Sequence, residues 1–163
     1  MALSLSARLG SERIKSCFAL YPAAHLTHPE RLDTVMGCVS DKFRSGVVIP
    51  HWCMKLFINA YTTPGTDMND PRLSPIFYDA SKFPKYVAVA CGDADTLYRM
   101  SFDLMKKISG SASGTNVDGS RKFICVLNEA HEFNTFGRTR ASQEERDRVE
   151  GEAINMIRAS WRQ

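Results

Sequence analysis

The stretch "KYVAVACGDADTL", residues 85–97, decides how the chain is read. Residues 85–92 form a short apolar run rich in Val and Ala, with no alternation of polar and apolar positions. That pattern predicts a strand covered on both faces. An acid-rich turn follows, and then "DTLYRMSFDLMKKI", in which Leu97, Met100, Leu104 and Ile108 share one helical face.

The same grammar recurs on either side. "IKSCFALYP" (14–22) is a nearly continuous apolar run closed by proline, and "RKFICVLN" (121–128) is a third strand. Between the first and second strands lie two amphipathic stretches, "PERLDTVMGCVSDKF" and "VIPHWCMKLFINAY", both read as helical. In the second, Trp52, Leu56 and Ala60 are spaced by four. "TTPGTDMNDPRLSP" and "SGSASGTNVDGS" are rich in turn residues and read as loops. "ASQEERDRVEGEAINMIRASW" closes the chain as a helix, with a capping box expected from Ser142 and Glu145 and an inner face of Val149, Ala153, Met156 and Trp161. Buried strands alternating with helices predict that residues 1–163 are an α/β domain or a large piece of one, built on about three parallel strands with flanking helices.

Composition narrows the function. The 163 residues carry a net charge of +3 and are 44% apolar. No basic block points to nucleic acid, and no apolar run approaches the roughly 20 residues that span a bilayer. The start, "MALSLSARLG", is too short and interrupted for a secretory signal and reads as the tail of an amphipathic helix. Five cysteines, an odd number without a C-x-x-C pair, predict reduced thiols and a cytoplasmic protein. His25, His28 and His51 with Asp33 fit no zinc spacing, so no metal is expected at them.

Chemistry is expected at the carboxyl ends of parallel strands. The second strand ends in "CGDADTL" and the third in "LNEAHEF", which places Asp95 and His131 at one edge of the sheet. An acid and a histidine so placed make the second half of a Ser–His–Asp triad, with the carboxylate fixing the imidazole tautomer. Asp93 lies on the same side as Asp95 and could instead cap the next helix, so spacing does not choose between them.

The order of motifs resembles the C-terminal half of an α/β-hydrolase of the hormone-sensitive-lipase-like carboxylesterase branch. "DPRLSP" (70–75) resembles its D-P-x-x-S-P loop, "GDADTL" its D-P-L acid motif, and "AHEF" its H-G-F histidine motif. "MALSLSARLG" and "IKSCFALYP" resemble the helix and strand that follow the nucleophile. The resemblance implies that Asp95 is the triad acid and His131 the triad base. It implies that residues 24–69 form a cap and acyl-pocket segment, with Trp52, Phe57 and Tyr61 as candidate lining. Two departures stand out: Thr96 replaces a proline, and Glu132 replaces the glycine after the histidine, which either alters the loop or sets a second carboxylate by the imidazole.

No G-x-S-x-G occurs. "GSASG" (110–114) puts its serines one place off, in a linker-like loop. The H-G-G-G type oxyanion run is absent as well. The expectation is a carboxylic ester hydrolase portion that keeps acid and base, lacks nucleophile and oxyanion hole, and is inactive alone, with Met1 either an internal methionine or the start of a truncated gene. The alternatives are a non-catalytic interaction remnant or one half of a split esterase. The partner expected is a small acyl ester once the fold is completed, and association of two copies through the exposed strand 14–20 is a further expectation.

Overall fold

A computed structural model describes residues 2–162; Met1, whose origin the sequence left open, lies outside them. The elements in order are α1 (Ala2–Arg13), β1 (Ser16–Leu20), α2 (His51–Tyr61), β2 (Tyr86–Gly92), α3 (Tyr98–Ser109), β3 (Arg121–Val126), α4 (Phe133–Phe136) and α5 (Arg140–Trp161). Short 3-10 turns occupy Pro29–Thr34, Pro75–Phe77 and Ala80–Lys82.

The three strands form one parallel sheet in the order β1-β2-β3. β2 is central, and Val87 through Cys91 are fully buried, which is why this run carries no polar alternation. Its side chains alternate between two cores. Val87 and Val89 pack with Leu3 and Ala7 of α1 and Leu104 and Ile108 of α3. Ala88 and Ala90 face Ile124, Val126, Phe133, and Val149 and Met156 of α5. Each fully buried valine or leucine contributes about 1.5–3 kcal/mol relative to exposure. α1 is broken near its end by Gly10, whose φ of 71° leaves the helical region.

The excursion between β1 and β2 builds a third apolar cluster, in which Leu32, Met36, Met54, Ile58, Leu97 and Met100 meet. Here the sequence reading needs correction. The first amphipathic stretch yields only the 3-10 turn Pro29–Thr34, and residues 35–50 form no helix. Their backbone donors are spent elsewhere. Gly37 N–H donates to Thr96, those of Val39 and Ser40 to Asp93, that of Arg44 to Asn128 and that of Val47 to His131, each at 2.7–3.0 Å. The second stretch is a helix, but Met54 and Ile58 are its buried residues, while Trp52 is 68% exposed and Leu56 is exposed as well.

The last helix also starts earlier than the capping box implied. Thr139 is the N-cap, its hydroxyl accepting from Ser142 N–H at 3.1 Å. Ser142 sits inside the first turn and is fully buried. Val149 and Met156 face the core, but Trp161, the last residue of the helix, is 79% exposed. Cys17 and Cys91 are buried, Cys53 and Cys125 half-buried and Cys38 exposed, and all five are free thiols. Among the described residues no helix is long and apolar enough to cross a membrane.

Candidate active site

β2 and β3 end side by side, and the loops beyond them deliver the two expected side chains to one point. His131 Nδ1 lies 2.9 Å from Asp95 Oδ2. Asp95 is fully buried, and its second oxygen, Oδ1, accepts the N–H of Leu97 at 2.8 Å. Both carboxylate oxygens are therefore engaged, and the carboxylate is aimed at the imidazole by the turn that starts α3. The side chain of Asp93 turns elsewhere. Its Oδ1 accepts the N–H of Asn128 at 2.7 Å, holding the loop after β3. Thr96 donates through Oγ1 to the Ile49 carbonyl at 3.1 Å, tying the acid turn to the excursion.

The His131 ring has a second neighbour that the sequence reading did not single out. Tyr21, just past β1, lies with its ring centroid 4.3 Å away at an interplanar angle of 59°. Its own ring stands edge-on to Phe133, and its hydroxyl donates to Asn134 Oδ1 at 2.8 Å. Burial raises the Tyr21 phenol above its ordinary value, the charges of Glu132 and Asp95 add to the rise, and the Asn134 bond works against it. Burial also pushes the Cys91 thiol well up, reinforced by Asp95.

Backbone strain gathers here. Among the described residues, the non-glycine positions with positive φ are Tyr21 (36°), Asn128 (58°) and Glu132 (57°), and all three flank His131. Such conformations cost of order 1 kcal/mol and persist where surrounding contacts impose them. Glu132 thus occupies a left-handed position that a glycine fills without steric cost. Gly92 and Gly46 are required by close approach: a Cβ on Gly92 would fall on the Glu129 carbonyl, and one on Gly46 on that of His131.

The loop that carries the histidine is clamped by residues 44–47. Ala130 N–H donates to Ser45, and His131 and Val47 exchange backbone bonds at 2.8 and 3.0 Å. Glu129, fully buried, accepts from Arg44 Nε at 3.0 Å, from Ser142 Oγ at 2.8 Å and from Ser45 Oγ. The sequence carried no signal for this network beyond an acid near a histidine.

A cavity of about 950 Å³ opens over this site, with His131 in its wall and Tyr21, Leu26, Phe57, Ile58 and Tyr61 among its lining. Of the three candidate lining residues, Phe57 and Tyr61 border this cavity. Trp52 lies outside the lining because the helix turn that points Met54 and Ile58 inward sends it to solvent. The "DPRLSP" loop supports the wall from beneath. Buried Ser74 accepts the N–H of Leu26 at 3.0 Å and donates to its carbonyl at 3.2 Å.

The remaining histidines are scattered. His51 pairs with Asp33 at 2.5 Å, and His25 packs edge-on against Phe77. Among the described residues no group of three His, Cys, Asp or Glu side chains is placed to hold a metal ion.

A parallel sheet whose strand ends bring an acid and a histidine into contact is the arrangement of an α/β-hydrolase. The chain belongs to that family: the family model for the alpha/beta hydrolase fold matches residues 1–134. Solved structures agree on the fold. Brefeldin A esterase, a bacterial homologue of human hormone sensitive lipase, superposes with a TM-score of 0.62 at 20% identity, covering 96% of this chain and 45% of its own. Esterase E25 gives 0.61 at 16% identity, covering 95% and 44%. An esterase/lipase from an uncultured bacterium gives 0.60 at 14% identity, covering 99% and 50%. The chain spans about half the length of these structures. No curated protein sequence matches it significantly.

Proposed function

We propose that this chain carries the acid and the general base of a carboxylic ester hydrolase, Asp95 and His131, and that the serine and the oxyanion hole are not among its 163 residues. The observation that carries the reading is the bond between His131 Nδ1 and buried Asp95, set at the wall of a largely apolar cavity. A carboxylate on Nδ1 fixes the tautomer that leaves Nε2 as proton acceptor and stabilises the imidazolium that forms.

The steps follow from these parts. A serine oxygen attacks the ester carbonyl while its proton passes to His131 Nε2. The tetrahedral intermediate collapses, and His131 returns the proton to the departing alcohol. Water then repeats the sequence on the acyl-enzyme. Phe57, Ile58 and Tyr61 would contact the acyl group. Neither metal nor organic cofactor enters any step. Without nucleophile or oxyanion donors the chain alone is inactive.

One observation favours a second reading, a half that pairs with another polypeptide: β1 is hydrogen-bonded to β2 alone among the described strands. Both readings are tested by supplying a segment with a strand, a G-x-S-x-G turn and its helix from a related esterase, fused or in trans. Short-chain aryl ester hydrolysis should appear and vanish in His131→Ala. Equal turnover by the His131→Ala chain would refute the assignment.

A further inference from the structure

We propose that Glu129 is a positioning residue, whose buried carboxylate sets His131 against Asp95. The proposal rests on the reading of His131 as general base and extends it to a residue two positions earlier.

The geometry is that of a tie between three segments, one of which lies more than eighty residues upstream of Glu129. Arg44 and Ser45 belong to the excursion, Ser142 to the first turn of α5, and Glu129 to the loop after β3. All three side chains donate to the one carboxylate. Arg44 also donates through Nη2 to the Leu127 carbonyl at 2.8 Å, so its guanidinium spans the loop.

The backbone of Glu129 faces the acid. Its carbonyl accepts the N–H of Ala94 at 3.1 Å, and Ala94 is the residue before Asp95. This main-chain bond, 94 to 129, runs beside the side-chain bond, 95 to 131. Glu129 thus couples the loop that carries the imidazole to the turn that carries the carboxylate. A buried charge is costly unless fully paired, and a fully satisfied polar network fixes one geometry where an apolar contact tolerates several. The loop needs such a device. Between β3 and α4 it has only the isolated bridges of Glu129 to Ser45 and of His131 to Val47, and it is bracketed by the left-handed residues Asn128 and Glu132.

The test is proton NMR of the 163-residue chain, following the low-field resonance of the proton between His131 Nδ1 and Asp95, assigned by its absence in His131→Ala. In Glu129→Gln the resonance should disappear, while circular dichroism still reports the folded sheet and helices. Ser142→Ala, which removes one donor only, should broaden it. Should Glu129→Gln fail to fold, the Ser142→Ala spectrum decides. An unchanged resonance in a folded Glu129→Gln chain, or in Ser142→Ala where the former does not fold, overturns the positioning role alone. Absence of the resonance in the unaltered chain overturns the acid–base pair and this proposal with it.

Discussion

Asp93 and Asp95 stand two residues apart beyond β2, yet only Asp95 reaches His131, while Asp93 accepts the N–H of Asn128. Alternation put both acids on one side of the chain; the turn at Gly92–Ala94 separates their tasks. In a longer chain that supplies the serine, Asp95→Asn should lower kcat on the scale of about 10⁴, the effect of mis-setting the histidine tautomer. Asp93→Asn keeps an oxygen that can accept from Asn128 and should cost far less. Steady-state kinetics on the two variants checks this, and the reverse order would reassign the acid.

Glu132→Gly should stabilise the fold. Glu132 holds φ at 57° without capping α4 through its side chain. Relieving that conformation is worth about 1 kcal/mol, after the extra chain entropy of glycine is set against it. For a domain of this size the gain is a rise in Tm of about 3 °C. The same change removes a charge that raises the Tyr21 phenol, so the Tyr21 titration should move down. A lower Tm would mean that the Glu132 side chain makes a stabilising contact that outweighs the strain.

Asp70 gives the chain an acid-sensitive element. Its carboxyl is lowered from 3.8 to about 2, chiefly by the Arg72 side-chain bonds and then by the Arg72 backbone N–H. A depressed folded value favours the native state above the unfolded value of 3.8 and loses that contribution as pH falls toward 2. Asp70→Asn should therefore flatten the fall of Tm with pH between those limits. Melts across that window check it; parallel curves for the two proteins would contradict it.

Which parts were legible in the sequence depends on how local their causes are. Val87, Val89 and Ile124 lie in short apolar runs whose burial follows from composition, so the three strands could be read directly. Phase on a helix was harder. Trp52, Leu56 and Ala60 are as well spaced as Met54 and Ile58, and only the cluster around Leu32 and Met100 determines which set turns inward. The meeting of Asp95 and His131 was readable because both follow strands whose carboxyl ends lie side by side. Glu129 was not, because two of its partners, Arg44 and Ser45, lie more than eighty residues upstream, in the short connection between the two amphipathic stretches, which carries no periodic signal. Ser142 likewise looked like a cap until Glu129 gave its hydroxyl a buried acceptor.

The open side of β1 predicts self-association. Residues 14–20, "IKSCFAL", hold one charge, Lys15, and no proline, and β1 pairs with β2 alone among the described strands. Such an edge recruits another strand. Size-exclusion chromatography with light scattering should give a mass of at least twice 18.3 kDa, and a monodisperse monomer with a sharp melt would show that the edge is guarded.

The central claim is that Asp95 and His131 form an acid–base pair without a nucleophile in this chain. Its most direct measurement is the hydrolysis of short-chain aryl esters by the isolated 163-residue chain beside its His131→Ala variant. The account predicts equal rates, both at background, because on the proposed reading the nucleophilic serine and the oxyanion donors that would use the base are not among these residues. Turnover that depends on His131 and persists through further purification would contradict it.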